Sequence, residues 1–263
     1  MENLYELLFE LSNEDRYRIL LKLDREALTV TSISETLNLS KQEISRHISR
    51  LSNAKITQKR TDGSYYLTQY GKLVLKQLPG LNFISQHKEY FSTHTLTGIP
   101  LEFINRIGDL SNCNYSDELM VVLYNIEKLI EEAEEYVWEI THEYPGNTYQ
   151  LETEAYGRGV GLKCIQPEGW MPSPQLEAAV RPEDREAIQK AWINGLLEVK
   201  TLKQLDIFLY MSEKEVAIVG FPNINGKFDY LGFSSKDQQA HKWCLDLCNY
   251  YWKSAITKPK LYF

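Results

Sequence analysis

The sequence is poor in cysteine and has no long apolar runs. Four cysteines in 263 residues are too few for the disulfide framework of a secreted domain. The longest apolar runs, such as "LMVVLY", are far too short to span a bilayer, and no basic stretch followed by an apolar one opens the chain. We therefore expect a soluble, cytoplasmic protein.

The short motifs of several enzyme classes are also missing. The sequence contains no G-x-S-x-G, no H-E-x-x-H and no glycine-rich phosphate loop with a lysine. These motifs supply a nucleophile, a catalytic metal site or a phosphate cradle. We therefore expect a protein that is not an enzyme, and no pattern predicts a cofactor or a metal site.

The balance of charge is acidic overall but uneven along the chain. The formal net charge is -7, and residues 1–40 carry four basic and eight acidic side chains. Residues 41–77, in contrast, carry eight basic and two acidic ones. An acidic average argues against a nucleic-acid partner, whereas this local basic segment is compatible with one.

Helical spacing and capping signals predict three helices before residue 54. The first begins with a capping box at Ser12 and Asp15, and a short one has Ile33 and Leu37 four residues apart. "LNLS" then breaks the pattern, and Ser40 with Glu43 forms the capping box of a third helix. The order is helix, short helix, tight turn, helix.

A hairpin and a further helix follow. Asp62-Gly63 lies between the extended runs "KITQKR" and "YYLT", which predicts a hairpin with a type I′ turn. The next helix is predicted from Gln69 to Gln77, with Pro79-Gly80 as its end.

The helix that begins at Ser40 has two unlike faces. Ile44, Ile48 and Leu51 form an apolar stripe for the core. The opposite face offers groups that bond base edges and phosphates, and Lys59 and Arg60 follow on the first strand of the hairpin. An ordinary solvated face is the alternative for a lone helix, but the hairpin and the local charge favour a DNA-reading winged helix-turn-helix. Asp62 at the hairpin tip would repel phosphate, so the strands of the hairpin are the expected contact. The predicted DNA-binding residues are Lys41, Gln42, Ser45, Arg46, His47 at the flank, Ser49, Arg50, Lys59 and Arg60.

The stretches "LSNEDRYRILLKL", "ISRHISRL" and "YYLTQYGK" resemble the winged-helix domain of ArsR-type regulators over roughly the first 75 residues. The resemblance implies a DNA-binding domain of a transcription regulator. The short helix has no cysteine pair, so the thiolate metal site of the metal-sensing members does not carry over.

After residue 118 the pattern changes to alternating strands and helices, which predicts a layered α/β domain and a mixed α and β fold class. We assign residues 1–78 to the winged helix-turn-helix, 79–117 to a connecting helical segment, and 118–256 to an α/β effector and dimerisation domain. Predicted strands are 137–141, 159–166, 197–202, 207–211, 216–221 and 230–233, and predicted helices are 118–135, 182–189 and 237–254 with an N-cap at Ser234 or Ser235.

The stretches "IPLEFINRIGDL", "VAIVGFPNINGKFDYLGFSSKD" and "WCLDLCNYYWKSA" resemble the effector domain of archaeal methanogenesis regulatory proteins. That resemblance covers most of residues 90–255 and implies an archaeal one-component regulator. It does not identify the effector. Some archaeal sugar-sensing regulators have a sensor domain that resembles phospholipase D, but none of the five histidines here begins an H-x-K signature.

Candidate effector ligands lie in "YGRGVGLKCIQPEGWMPSP" and "AAVRPEDR". Tyr156, Arg158, Lys163, Trp170 and Arg181 would suit a small anionic metabolite, although they equally fit a solvated surface beside acidic neighbours. Cys244 and Cys248, one helical turn apart, are interpreted as core residues, with a metal or redox pair near His241 as the alternative.

These patterns together predict a transcription regulator that binds operator DNA and responds to a small-molecule effector. A homodimer is expected because winged-helix proteins read two half-sites, and the apolar stripe of helix 118–135 would permit one. That stripe would look the same if the helix packed on its own sheet. The alternative function is a small-molecule-binding or enzymatic α/β protein whose winged helix contacts other proteins only.

Overall fold

The computed structural model of the protein describes residues 2–142, 148–259 and 261. The chain divides into two compact units, Met1–Pro79 and Gly80–Phe263. Both helices and sheets are present, which confirms the predicted mixed α and β class. No helix in these described ranges is long and apolar enough to cross a membrane.

The first unit is built from short helices and a hairpin. Its elements are α1 (Glu2–Leu11), α2 (Glu14–Arg25), α3 (Val30–Leu37), α4 (Lys41–Asn53), β1 (Thr57–Lys59), β2 (Tyr65–Leu67) and the first part of α5 (Gln69–Gln86). Ile19, Ile33, Ile44, Ile48 and Leu51 are buried together and hold α2, α3 and α4 around one core. The predicted apolar stripe of the third helix is therefore confirmed.

Helix caps set the boundaries around α2. Asn13 caps α2 by accepting a hydrogen bond from the Arg16 backbone at 3.0 Å. Ser12, the predicted cap, instead donates its hydroxyl to the Phe9 carbonyl at 2.9 Å at the end of α1. Helix α1 was not predicted, although its apolar residues form one side of the helix and Glu6 and Glu10 lie on the other.

The caps around α4 follow the predicted pattern. Asn38 ends α3 in the left-handed conformation, with φ at 55°, so the chain turns sharply before α4. Ser40 and Glu43 form the predicted capping box at the start of α4, with Ser40 accepting from the Glu43 backbone and Glu43 accepting from the Ser40 backbone.

The hairpin is present, but its turn is not type I′. β1 and β2 pair antiparallel from Thr57–Leu67 to Lys59–Tyr65. Gly63 alone in the turn has positive φ, at 86°, and it donates to the Arg60 carbonyl. A type I′ turn needs positive φ at both central residues, whereas this is a type I turn closed by a left-handed glycine, because Asp62 stays in the ordinary region.

The base of the hairpin depends on close contact between two backbones. Thr68 donates its hydroxyl to the Lys55 carbonyl at 2.7 Å and accepts from the Gly71 backbone at 3.0 Å. A Cβ on Gly71 would overlap the Ile56 carbonyl oxygen, which is backbone and has no room to move aside. Gly71 is therefore required by packing rather than by its φ.

We expect Gly71→Ala to destabilise the first unit by about 1–3 kcal/mol, because overpacking forces a backbone shift. The matched control is Gly80→Ala in the same helix, where a Cβ would lie 3.3 Å from the Ile107 methyl group. Urea unfolding followed by circular dichroism measures both. Equal unfolding midpoints for Gly71→Ala and the unchanged protein would show that this contact does not limit packing.

Helix α5 continues past its predicted end. Pro79 lies inside it, and the helix ends only at Gln86. Phe83, in the added turns, is fully buried in the core of the second unit. A proline inside a helix removes one N–H donor and its ring crowds the carbonyl four residues earlier, and the burial of Phe83 offsets that cost.

The described residues of the second unit form an eight-stranded sheet in the order β10-β6-β5-β4-β7-β8-β9-β3. The strands β4, β5 and β6 are parallel, and the other pairs are antiparallel. The strands are β3 (Asn114–Ser116), β4 (Tyr136–Ile140), β5 (Gly161–Pro167), β6 (Leu197–Leu202), β7 (Phe208–Ser212), β8 (Val216–Gly220), β9 (Gly232–Ser235) and β10 (Ile256–Thr257). The predicted central strands are confirmed within three residues, and the edge strands β3 and β10 were not predicted.

Helices cover both faces of this sheet. They are α6 (Lys88–Thr93), α7 (Leu101–Ile104), a 3₁₀ helix (Ile107–Leu110), α8 (Leu119–Glu132), α9 (Thr148–Gly157), α10 (Pro174–Ala179), α11 (Pro182–Ile193) and α12 (Gln238–Ser254). One core lies between the sheet and α12, and the other lies between the sheet and α8, α9 and α11. The N-cap of α12 is Asp237 rather than the predicted Ser234 or Ser235, because the Asp237 carboxylate accepts from two backbone N–H groups.

Residues of the predicted connecting segment, 79–117, contribute directly to the core of the second unit. Phe83, Tyr90, Phe103 and Leu110 are buried there, and the Trp243 indole donates to the Phe103 carbonyl at 3.1 Å. Aromatic residues that looked like a linker pattern in the sequence are thus core residues.

Candidate nucleic-acid interface

Helix α4 places its predicted polar face in solvent. Its inner side is fixed by Ile44, Ile48 and Leu51, each at most 1% exposed. The outer side carries cations, an amide and hydroxyls and holds no long apolar group. The exposed predicted residues are Lys41, Gln42, Ser45, Arg46 and Ser49.

His47 was predicted to bind DNA, but it is buried. Only 6% of the residue is exposed, and its Nε2 lies 4.0 Å from the Asp15 carboxylate. Burial, together with the nearby charge of Arg46, lowers the pKa of His47. A largely buried, neutral imidazole stabilises the α2–α4 contact and is not available to DNA.

Arg50, another predicted DNA-binding residue, is paired with a carboxylate of its own unit. Its guanidinium donates two bonds to the Glu10 carboxylate, Nε–Oε2 at 3.0 Å and Nη2–Oε1 at 2.6 Å. The same guanidinium lies over the Phe9 ring at 5.1 Å, and Glu10 also pairs with Arg16 at 3.3 Å. The hydrogen bond to Arg50 lowers the pKa of Glu10, so the pair is charged at neutral pH.

We expect Glu10→Gln to strengthen sequence-independent DNA binding by a few fold, because it removes a carboxylate that competes with phosphate for Arg50. The salt slope of binding should rise by about one counterion. Fluorescence anisotropy with a random-sequence duplex at several salt concentrations measures both.

The matched control for that variant is Glu6→Gln, which makes the same change of charge one turn earlier on α1 at an exposed position. Equal effects from Glu6→Gln and Glu10→Gln would mean that net charge, and not the release of Arg50, is responsible.

The hairpin offers cations that rest on aromatic rings. The Lys59 ammonium lies 5.7 Å from the Tyr65 ring centre, and the Arg60 guanidinium lies 5.1 Å from that of Tyr66. Both cations are exposed, so their charges remain available to a phosphate backbone.

The Asp62 carboxylate faces back into its own turn. It accepts from the Ser64 backbone at 2.9 Å and from the Ser64 hydroxyl at 2.6 Å, and these bonds lower the pKa of Asp62. The tip of the hairpin therefore stays negative at neutral pH, and it would repel a phosphate group.

The predicted effector ligands do not line one pocket. Tyr156 lies on the buried side of α9, in the core. Arg158 donates to the Ile130 and Ala133 carbonyls at the end of α8. Lys163 sits beside the Trp138 and Trp252 rings, with Glu198 3.8 Å away. These contacts serve packing and helix capping.

The remaining two predicted ligands have structural partners as well. The Trp170 indole donates to the His142 carbonyl at 2.6 Å, and Lys258 lies 5.3 Å from its ring centre. Arg181 forms a bidentate pair with Asp184 at 2.7 and 2.8 Å at the start of α11. No cationic pocket for an anion is assembled from the five.

Cys244 and Cys248 are fully buried in the α12 core, as interpreted from the sequence, and burial raises the pKa of both thiols. The Nε2 atom of the nearby His241 forms a hydrogen bond with the Ser212 carbonyl oxygen at 2.8 Å. Within the described residues no group of three or more His, Cys, Asp or Glu side chains could hold a metal ion.

A buried carboxylate pair was not predicted. Glu139 on β4 is 0% exposed, and Glu152 on α9 is 5% exposed. Tyr156 and Tyr210 are buried in the same core. The pair was missed because α9 was not predicted; the only signal was one glutamate inside the buried strand "YVWEI".

Comparison with known families decides the nature of the first unit. Residues 11–57 match a family model described as a helix-turn-helix domain. The first unit carries a helix-turn-helix domain. In this domain α3 and α4 are the two helices joined by the tight turn, and α4 holds the position of the recognition helix.

Three solved structures are distantly similar to this chain. TrmBL2, an archaeal chromatin protein described as having a novel mode of DNA binding, is 15% identical over 94% of each chain, with a TM-score of 0.44. NucT from Helicobacter pylori and Nuc, a phospholipase D family member from Salmonella typhimurium, are each 14% identical over 56% of this chain and 97% of theirs, with TM-scores of 0.41 and 0.38. No curated protein matches the chain.

Proposed function

We propose that the protein is a one-component transcription regulator that binds operator DNA through its helix-turn-helix domain. The observation that carries the proposal is the outer face of α4, where Gln42, Ser45, Arg46 and Ser49 are exposed on a helix whose inner face is rigidly packed. Glutamine and arginine side chains make bidentate contacts with adenine and guanine edges in the major groove. Lys59 and Arg60 on the hairpin would hold the adjacent phosphates.

Selection of bound fragments from a random DNA pool, using the full chain, tests this proposal. We expect a short consensus whose binding weakens steeply with salt. If the protein retained fragments without any sequence preference, the proposed regulator function would be contradicted and only sequence-independent DNA binding would be supported.

The proposal includes a homodimer, since a recognition helix reads one half-site and paired half-sites lie about one DNA turn apart. The stripe of α8 that would have suited this role is buried against its own sheet, through Val122, Ile126, Leu129 and Ile130. Helix α1 instead exposes Leu4, Tyr5, Leu8 and Phe9. Sedimentation equilibrium of the full chain measures the mass, and a monomer at micromolar concentration would contradict the dimer.

We further propose that the second unit binds a small-molecule effector rather than catalysing a reaction, and that the protein acts in the cytoplasm. The ArsR-like classification and the methanogenesis-regulator type of effector domain belong to this proposal and rest on sequence resemblance. The missing H-x-K signature and the other missing catalytic motifs support a binding role.

A further inference from the structure

A buried polar cluster lies between α9 and the sheet. Glu139 on β4 is directly opposite Cys164 on β5 and Tyr210 on β7, so these three side chains project from the same face of the sheet. α9 covers that face and buries Tyr149, Glu152 and Tyr156, which are three and four residues apart along its inner side.

Several polar atoms in this cluster have no hydrogen-bond partner among the described residues. They are both carboxylate oxygens of Glu139, Oε1 of Glu152 and the hydroxyl of Tyr156. The other Glu152 oxygen is bonded to Thr148. An orphaned buried carboxyl group is costly whether it is ionised or protonated, because even the neutral form needs a donor and an acceptor.

Among the described residues no cation forms a salt bridge with Glu139 or Glu152: the buried ammonium of Lys258 lies near Cys164 and bonds the Gln166 side chain on β5 at 2.7 Å. β5 and β7 contribute the Cys164 thiol and the Tyr210 hydroxyl, and the inner residues of α8 are apolar. α11 contributes Asp184, which is already paired with Arg181. Desolvation raises the pKa of both carboxyls, and the charge of Glu152 raises that of Glu139 further.

We propose that this cluster is a binding site for a small organic cation, a protonated aliphatic amine. Two carboxylates supply the counter-charge, the tyrosine hydroxyls accept hydrogen bonds, and the tyrosine rings attract a cation through their faces. A metal ion fits less well, because no group of three His, Cys, Asp or Glu side chains among the described residues could hold one, even though Cys164 lies opposite Glu139. The anionic metabolite expected from the sequence would be repelled by the same carboxylates.

The regulatory part of this inference rests on the proposed function. α9 carries three of the site's residues, so an amine held between α9 and the sheet would stabilise one position of that helix. As the effector of the proposed regulator, it would then change the affinity for operator DNA.

Calorimetric titration of the full chain without DNA tests the site itself. The probes are n-butylamine and 1,4-diaminobutane, with tetramethylammonium, Mg²⁺, Ca²⁺ and acetate as the other arms. We expect at least one amine to bind with release of protons, seen as a dependence of the heat on buffer ionisation, since binding deprotonates the carboxyls. Glu139→Gln/Glu152→Gln should weaken that binding more than about tenfold, and Tyr156→Phe about fivefold.

Glu154→Gln is the matched control, since Glu154 is exposed on the same helix. It should bind like the unchanged protein. Three outcomes would overturn the site: no amine binds, the double variant binds as tightly as the unchanged protein, or only the metal ions bind. Because these titrations contain no DNA, their result does not depend on whether the protein binds DNA. Amine binding without any change in operator affinity would overturn only the effector role.

Discussion

Gln42→Ala combined with Arg46→Ala should lower affinity for the selected DNA at least about 100-fold, because each residue is expected to contact a base edge worth about 1–3 kcal/mol of discrimination. Both side chains are exposed and make no contact that holds the core of the first unit. Folding should therefore be unchanged. Anisotropy titration with the selected fragment and with a scrambled duplex measures the loss.

Two comparisons separate base reading from simple loss of charge. Lys190→Ala removes a positive charge from an exposed site on α11, and we expect it to bind the selected fragment like the unchanged protein. For the double variant, affinity for the scrambled duplex should fall far less than affinity for the selected one. Equal losses on both duplexes would mean that α4 contacts only phosphates.

The buried carboxylates should make the second unit less stable as pH rises. A carboxyl whose pKa is raised in the folded protein binds more protons when folded than when unfolded, so stability is full below the unfolded pKa near 4.5. It is lost as pH rises toward the folded pKa. Between about pH 5 and pH 8, we expect this pair to cost on the order of 1 kcal/mol per pH unit.

Glu139→Gln/Glu152→Gln should flatten that dependence. The double variant and the unchanged protein should have similar unfolding free energies at pH 5. At pH 8 the variant should be more stable by roughly 2–4 kcal/mol. Denaturant unfolding across this range measures the difference, with Glu154→Gln as the control for the same substitution at an exposed position. Parallel curves for the double variant and the unchanged protein would show that the pair does not titrate in this window.

Local sequence patterns were sufficient to predict the helices and strands whose formation depends on nearby residues. The capping box at Ser40 and the stripe of Ile44, Ile48 and Leu51 predicted α4 and its two faces correctly. The central strands followed from runs of β-branched and aromatic residues. These features depend on contacts a few residues apart, which a single sequence displays directly.

Long-range contacts account for what was missed. Arg50 looked free for DNA, but Glu10, forty residues earlier, holds it. Pro79 was expected to end α5, but the burial of Phe83 extends the helix. The five predicted effector ligands each contact different structural partners and do not form one pocket. The buried pair Glu139 and Glu152 comes together only through the packing of α9 on the sheet.

The most direct test of base reading by α4 is to repeat the DNA selection with Arg46→Ala. We expect the consensus to persist but to lose its preference at one position in each half-site, most simply a guanine. An unchanged consensus for Arg46→Ala would contradict the assignment of α4 as the base-reading helix.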